Sequence, residues 1–399
     1  MDIFLLGCGE MGRVCAIDLA QTYTGGKIIL ADRSLKKAND LAKELNKKNI
    51  SVEYGDANNS TGLAKVIRKH NAGIILNATN YYFNLKVMKA ALLANANYLD
   101  LGGLFHVTKK QLKMNPKFKE KRLLAVLGCG SSPGITNIMV DYAARKLDRI
   151  NSIEISFADK DYTKYDLPIV IPYSIQTLFD ECSSHPIVFS GGKFKSVEPF
   201  SGHKEIIFPQ PVGVKDCFYT LHSEVESLPR SFKGLKHSDF RGGFDPQLVS
   251  AIKFLTKIGF ASDKKIKLNN GSLVSPREVI TKITEQFIPN KKTKINDVEF
   301  LKVELDGTSN KKKTKIEIFC KAMTNKKWNV PAGSWDTGAA LSAFGQIIAS
   351  EKVEKKGAYP PEEVIRPEIL FYELKKRNIK IYDERYKVYN YKLMSPFIS

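Results

Sequence analysis

Three glycines, a few carboxylates and one histidine are the residues of this 399-residue chain whose types and spacing suggest chemistry. Gly7, Gly9 and Gly12 follow the apolar run Ile3 to Leu6 and enclose Glu10 and Met11, a Gly-x-Gly-x-x-Gly spacing. In such a turn the first glycine permits a tight bend, the second lets backbone approach a pyrophosphate, and the third lets helix and strand pack closely. The phosphates then face the positive end of the following helix. Asp32 ends the next apolar run, where an acid that bonds ribose hydroxyls belongs. It favours NAD, while its neighbour Arg33 could accept a ribose phosphate and keeps NADP open. Asp56 follows a third run, where the adenine edge is commonly met. Asn77, Ala78 and Thr79 close a fourth, on the nicotinamide side or as an ordinary polar loop start.

These residues need a scaffold. From residue 1 to 128 short apolar runs alternate with amphipathic stretches, the signature of a doubly wound parallel sheet of the Rossmann type. Six strands are expected, within the runs 3–6, 27–32, 50–54, 72–79, 97–103 and 123–127. Helices are expected near 35–47, 63–70 and 84–94. Residues 129–334 then read as an α+β domain, mostly antiparallel. It starts with a helix over 138–147 and includes a hairpin of 298–305 with 315–321 around the turn Asp306-Gly-Thr-Ser-Asn310. Residues 335–399 form a third segment. Its first part, 337–349, is small and apolar all round, as a buried helix would be. Gly357-Ala-Tyr-Pro-Pro-Glu362 presents a rigid loop, and a helix over 368–377 leads into a polar tail.

Bulk properties narrow the function. No apolar stretch is long enough to cross a membrane, and the chain starts directly on a strand, with no basic and apolar leader before it. The six cysteines are scattered without metal-ligand spacing, and the six histidines form no cluster, so no metal is expected and a reducing, cytoplasmic setting is. The net charge of +20 comes mostly from lysine runs such as 291–294 and 311–315, set among loop-forming residues. Blocks of this kind are usually solvated surface. With no aromatic-rich motif among them, nucleic-acid binding is not expected.

The chain resembles the saccharopine dehydrogenase family, in particular its lysine 6-dehydrogenase-like branch. The resemblance runs from the glycine turn through Tyr98-Leu-Asp-Leu-Gly-Gly103, Gly128-Cys-Gly-Ser-Ser-Pro-Gly-Ile-Thr-Asn137, Tyr219-Thr-Leu-His-Ser-Glu224 and Leu228-Pro229 to the Gly357 to Glu362 stretch. It implies an NAD(P)-dependent amino-acid dehydrogenase: a Rossmann domain, an inserted α+β domain that holds an amino-acid substrate and supplies homodimer contacts, and a C-terminal helix that returns to the first domain. Members oxidise an amine-bearing carbon or reduce the corresponding imine. Ser131 and Ser132 vary between branches and leave the substrate open among saccharopine, lysine, carboxynorspermidine and other amines. A carboxynorspermidine dehydrogenase-like imine reductase is one alternative, and a non-catalytic dinucleotide-binding sensor is another.

Hydride leaves a carbon beside nitrogen only when the nitrogen lone pair is free, so a positioned acid/base is required. Asp100 ends the fifth strand and is the first candidate; it could equally bond the Gly102 and Gly103 amides as a turn former. His222 is the second, because histidine titrates near neutral pH and Glu224 would share its face on an alternating strand and orient it. The pair could also be structural. Gly102, Cys129, Ser132, Asn137, Glu224 and Arg241 are expected around the substrate. For Cys129 packing is the alternative, since the reaction needs no covalent intermediate. The fork of Arg241 suits a carboxylate, and His106 is a weaker candidate for the same task.

Overall fold

The computed structural model describes residues 1–384, apart from 168, 172, 288, 291, 351 and 352, and residues 392 and 393. The first domain alternates strand and helix: β1 (Ile3–Leu6), α1 (Glu10–Thr22), β2 (Ile28–Asp32), α2 (Leu35–Leu45), β3 (Ile50–Tyr54), α3 (Ser60–Lys69), β4 (Ile74–Asn77), α4 (Asn84–Ala94), β5 (Asn97–Asp100), α5 (Leu104–Leu112), α6 (Asn115–Glu120) and β6 (Leu124–Val126). β1 is almost completely buried along its length, as a parallel strand covered on both faces must be. Local chemistry sets the helix ends. Ser34 and Asn59 cap α2 and α3 through their side chains, and Asn46 and Asn95 end α2 and α4 in the left-handed conformation that asparagine tolerates.

The second domain follows with α7 (Ile135–Ala144), β7 (Arg149–Asp161), α8 (Ile175–Ser183), β8 (Ile187–Ser190), β9 (Lys193–Ser196), β10 (Lys204–Ile207), β11 (Val214–Tyr219), α9 (Glu224–Ser231) and β12 (His237–Gly243). Then come α10 (Pro246–Lys257), a small hairpin of β13 (Ile266–Lys267) and β14 (Leu273–Val274), α11 (Pro276–Thr284), β15 (Asp297–Ser309) and β16 (Lys312–Met323). The chain closes with α12 (Ala332–Ala349), β17 (Gly357–Tyr359), α13 (Pro367–Lys376), β18 (Lys380–Glu384) and β19 (Lys392–Leu393). The main path of the second sheet runs β10-β11-β12-β7-β15-β16-β18-β19. Of its pairs only β12 with β7 is parallel.

The first sheet is parallel, in the order β17-β6-β5-β4-β1-β2-β3. The direction of winding reverses between β1 and β4, which opens a crevice at the carboxyl ends of those strands. The seventh strand, β17, corrects the expectation of six: Gly357-Ala-Tyr359 is not a loop but an edge strand beside β6, too short to carry a periodic signal. The helix after the Gly128 turn begins at Ile135, three residues earlier than expected, because the Asn137 side chain accepts the Gly134 amide and caps it. The β15–β16 hairpin also differs. Its turn is Asn310-Lys311, both at positive φ, as a two-residue hairpin turn requires. Gly307 stays within the strand, because a side chain there would meet the Arg149 carbonyl 2.1 Å away.

Two glycines let α12 return to the first domain. A Cβ on Gly338 would sit 2.6 Å from the Val14 Cβ, and one on Gly345 would sit 2.8 Å from Leu76, so the helix lies against α1 and β4 with no side chain between. A buried ion pair, Arg377 Nη2 to Asp18 Oδ2 at 2.8 Å, fixes the end of α13 to α1. The chain then rejoins the second domain, where β18 pairs with β16, so residues 380–384 are a strand where the sequence suggests a polar tail. Most of that tail beyond 384, like residue 291 of the first lysine run, lies outside the described residues. Among the described residues no helix is long and apolar enough to cross a membrane.

Candidate active site

The glycine turn has the shape that a dinucleotide requires. Gly7 has φ +98°, and a Cβ on it would lie 2.9 Å from the Ala78 carbonyl group. A Cβ on Gly12 would lie 1.8 Å from the Gly7 oxygen, whereas nothing stands within 4 Å of one on Gly9. The turn is closed on two sides and open at its centre. α1 begins at Glu10 with no side-chain cap, so its first amides face the open side unclaimed. The residues present therefore fit a nicotinamide dinucleotide. Glu10 accepts a hydrogen bond from Ser334 Oγ, and the Met11 carbonyl packs against Gly338, so α12 supports the back of the turn.

At the ribose end the Asp32 carboxylate accepts from the Cys8 amide at 2.8 Å and from the Ser34 amide at 2.7 Å. Arg33 beside it is exposed. Asp56 closes a local turn on the Asn58 amide at 2.9 Å. Asn77 is completely buried, and its amide is fully engaged inside the protein. It donates to Asn84 Oδ1 at 2.9 Å and Tyr98 Oη at 3.1 Å, and it accepts from Thr79 Oγ1 at 2.6 Å. Its position therefore corrects the expectation of a direct cofactor contact: Asn77 holds Thr79 in place, and Ala78 and Thr79 are the residues of this strand end that border the turn.

Asp100 is a saturated buried carboxylate. One oxygen accepts from the amides of Gly102 at 3.0 Å and Gly128 at 2.8 Å; the other accepts from Tyr98 Oη at 2.8 Å and Gln111 Nε2 at 2.5 Å. Burial pushes its carboxyl up, and these four donors oppose the push. With no exposure and its oxygens engaged, Asp100 ties the ends of β5 and β6 together. The Gly128 amide takes the place expected for that of Gly103.

His222 stands over those strand ends. Its Nδ1 bonds Glu224 Oε2, and its ring stacks on Phe240 with centroids 3.7 Å apart and planes 6° from parallel. The expected alignment on one strand is not what joins the two residues. β11 ends at Tyr219, and the pair forms between a loop residue and the first residue of α9, because the Leu221 amide turns aside to bond the Glu181 carbonyl. Glu224 Oε1 accepts from Ser132 Oγ at 2.6 Å and Thr136 Oγ1 at 2.9 Å, which locks its orientation. Ser223 lies 3.5 Å from the place of a Cβ on Gly102, and Pro133 lies 2.6 Å from it, so the two domains meet here. Burial alone would push the His222 pKa down, but the charge and hydrogen bond of Glu224, with Glu181 nearby, outweigh it and raise the value. For Glu224 burial works upward, and His222 and Ser132 bring the net value down. The result is a stabilised imidazolium–carboxylate pair.

Around it are residues that local patterns do not reveal. Glu181 accepts from Tyr173 Oη, and burial lifts its carboxyl to about 7 in spite of His222. Tyr81 and Tyr82, just beyond Thr79, both donate to Asp180, which also pairs with Arg277 at 2.6 Å and so fastens the first domain to α8 and α11. Only their arrival from distant segments at one crevice distinguishes them.

Other candidates are placed elsewhere. Cys129 has its backbone in the turn, but its thiol is fully buried in the core, where burial raises its pKa. Asn137 bonds Glu362 Oε2 at 2.8 Å and so serves the packing of α7. Arg241 corrects an expectation. Next to Phe240 on β12, it points to the opposite face of the sheet from His222 and lines a groove of about 330 Å³ there. Its guanidinium is held by Asp239 and by Glu154 at 3.1 Å, with Tyr219 Oη at 2.9 Å, so it has no fork to offer a substrate in the crevice. His106 is exposed on α5.

Comparison with known proteins agrees with this architecture. Residues 3–126 match the family model described as saccharopine dehydrogenase NADP binding domain, and residues 130–379 match saccharopine dehydrogenase C-terminal domain. A carboxyaminopropylagmatine dehydrogenase from Synechocystis is 24% identical over 279 residues, 68% of this chain and 69% of that one. A carboxynorspermidine synthase from Vibrio cholerae is 25% identical over 300 residues, 70% of this chain and 72% of that one. The fold is similar to apo saccharopine dehydrogenase (L-Glu forming) from Saccharomyces cerevisiae, with a TM-score of 0.73 and 13% identity, covering 96% of this chain and all of that one.

Proposed function

The chain belongs to the saccharopine dehydrogenase family, and from that premise we propose that it makes a secondary amine by reducing the imine between an amino-acid-derived aldehyde and an amine, with NADP(H). It is an oxidoreductase that moves hydride between a nicotinamide and an amine-bearing carbon. The observation that carries the finer reading is the buried His222–Glu224 pair at the carboxyl ends of β5 and β6. Adjacent strands lie about 4.8 Å apart, so the pair is only a few strand spacings from the glycine turn on β1. Names of the two curated relatives, one a carboxynorspermidine synthase, support the imine-reducing direction.

The bound nicotinamide would supply hydride, held by Gly7, Gly9, Gly12, Ala78 and Thr79. Everything else falls to this chain. The amine adds to the aldehyde, and the adduct loses water only when its hydroxyl is protonated. His222, kept as the imidazolium by Glu224, donates that proton through Nε2, for which the described residues offer no partner. Loss of water leaves an iminium carbon that takes hydride, and the product amine retains its nitrogen lone pair. Ser132 and Thr136 hold Glu224 Oε1, so that Oε2 stays on Nδ1 and the ring keeps its aim. Phe240 covers one face of the ring and excludes water from it.

Exposed Arg33, with the Asp32 oxygens already on amides, supports NADP over NAD. A homodimer in the cytoplasm is the further expectation; the six free, buried cysteines fit a reducing compartment. The deciding experiment follows absorbance of the reduced nicotinamide with NADPH or NADH and a panel of aldehydes and amines, and in reverse with lysine, saccharopine and carboxynorspermidine. Turnover lost about 10²–10⁴-fold in His222→Gln, with cofactor affinity kept, is the expected result. Full turnover in His222→Gln would refute the assignment.

A further inference from the structure

Two adjacent carboxylates on α8, Asp180 and Glu181, take their partners from different segments. Asp180 Oδ2 accepts from Tyr81 Oη at 2.6 Å and from Tyr82 Oη, and Oδ1 accepts from Arg277 Nη1 at 2.6 Å. The arginine is itself pinned, because its Nε and Nη2 donate to the Ala261 carbonyl at 2.8 and 2.5 Å. Asp180 is buried, so both oxygens are engaged inside the protein. The tyrosines are not remote from the cofactor. Thr79 borders the glycine turn, with its Cγ2 3.1 Å from the place of a Cβ on Gly7, and Tyr81 follows two residues later. Between them Asn80 Oδ1 accepts the Tyr82 amide at 3.1 Å and starts the short 3-10 turn Tyr81–Phe83, so this connection has little slack.

On the other side of Asp180 the path to His222 is as short. The Glu181 carbonyl accepts the Leu221 amide at 3.1 Å, one residue before His222, and the Glu181 carboxylate is held by Tyr173 Oη. A single residue of α8 therefore stands between the strand end that borders the cofactor and the loop that carries the acid. We propose that Asp180 is a positioning residue that sets the distance between His222 and the nicotinamide, by fixing α8 to segment 79–82 across the domain junction. Asp180 acts through its neighbours and exchanges no proton in the reaction. The proposal rests on the reading of His222 above and adds what registers that residue against the hydride donor. A buried carboxylate that gives up one of three donors is left underpaired, so α8 has one favoured position on the first domain. The Arg377–Asp18 pair offers a comparison: it is as buried and joins α13 to α1, but no residue of the candidate site adjoins either member in sequence.

The test measures single-turnover oxidation of bound NADPH by an amino-acid-derived aldehyde and an amine, in the wild type, Asp180→Asn, Tyr81→Phe, Tyr82→Phe and Arg377→Met. NADPH deuterated at C4 identifies the phase that is hydride transfer. In Asp180→Asn that rate is expected to fall about ten- to a hundred-fold, the loss that a displacement of about 1 Å can cause, while NADPH affinity is kept. Arg377→Met breaks a buried pair of the same kind and is expected to lose stability but keep the rate. A wild-type rate of hydride transfer in Asp180→Asn, or an equal fall in Arg377→Met, overturns the role. Should Asp180→Asn not fold, Tyr81→Phe and Tyr82→Phe each remove one donor and keep the ring; both are expected to slow hydride transfer, and wild-type rates in both overturn the role. If no amine turns over, the reaction reading fails on its own, and titration of the His222 ring followed by NMR still decides the role of Asp180. Glu224 and Glu181 are the charged groups that act on this ring, and bound NADP⁺ adds a cationic nicotinamide. The His222 pKa of the wild type is therefore expected to be lower with NADP⁺ than with NADPH, and this difference to be lost in Asp180→Asn or Tyr81→Phe. Variants that keep the difference, or a wild type that lacks it, overturn the role.

Discussion

Replacing Glu224 by glutamine removes the charge behind His222 while keeping the side chain's length and volume. Glu224 is completely buried and receives His222 Nδ1, Ser132 Oγ at 2.6 Å and Thr136 Oγ1 at 2.9 Å. Removing one member of a buried ion pair costs about 3–5 kcal/mol when the other stays charged. His222 can release its proton instead, so the expected loss is nearer the 1–3 kcal/mol of a buried group left badly paired. The loss has a pH window. The raised His222 pKa gives stability that is complete below the ordinary value of 6.5 and lost as pH rises through the folded value. The lowered Glu224 pKa gives stability present above 4.5 and lost as pH falls through its folded value. The gap between wild type and Glu224→Gln should therefore be widest from about pH 4.5 to 6.5, and close at alkaline pH. Urea melts at four or five pH values measure it. In the kinetic assay the imine-reducing rate of the wild type falls as pH rises through the His222 value, because the imidazolium is the proton donor. In Glu224→Gln, burial acts on His222 with only Glu181 left to oppose it, so that limb moves to lower pH. A limb that stays in place, or a stability gap that is flat with pH, would refute the pair as the source of the proton.

Other outcomes follow from the same geometry. Asp100→Asn puts an amide among four donors and should cost about 1–3 kcal/mol in a denaturant melt, yet leave the pH limb of the reductive rate where it is; a shifted limb would return Asp100 to the chemistry. Gly338→Val forces side-chain atoms into the place 2.6 Å from Val14. It should destabilise by roughly 1–3 kcal/mol and weaken NADPH binding in calorimetry, because α1 starts at the glycine turn. Arg33→Ala should lower kcat/KM for NADPH far more than for NADH; an unchanged ratio would exclude Arg33 from the ribose phosphate. Arg377→Met leaves Asp18 buried without its cation and should cost about 3–5 kcal/mol, with most of the loss recovered when Asp18→Asn is added.

The first domain was legible because its signals are local. A buried parallel strand is a short apolar run, a helix repeats its apolar face within a dozen residues, and the glycine spacing reports a turn that one segment makes by itself. Where the reading failed, the cause was non-local. Gly357-Ala-Tyr359 became a strand because β6 left an open edge beside it. Residues 380–384 left the tail because β16 offered pairing. Gly307 looked like a turn residue because close approach of another backbone and a tight turn demand the same amino acid; here the neighbour is the Arg149 carbonyl.

The site divides along the same line. His222 and Glu224 were legible as a pair because a single residue, Ser223, separates them in sequence, although a loop and a helix start, rather than a strand, bring them together. Arg241 was misplaced by the very alternation that strands obey: Phe240 faces the histidine, so its neighbour must face away. Asp100 shows a harder limit. A strand-end aspartate beside two glycines is the same in sequence whether it waits for an amine or binds turn amides, and only its four donors decide. Glu181 lies outside any motif, on α8, and is an ordinary acidic residue in its own segment. What sets it apart is its burial between Tyr173 and His222, which leaves its carboxyl lifted to about 7. The titration of a site can therefore be set by residues that no local pattern marks, because it depends on which neighbours the fold brings to a buried carboxyl.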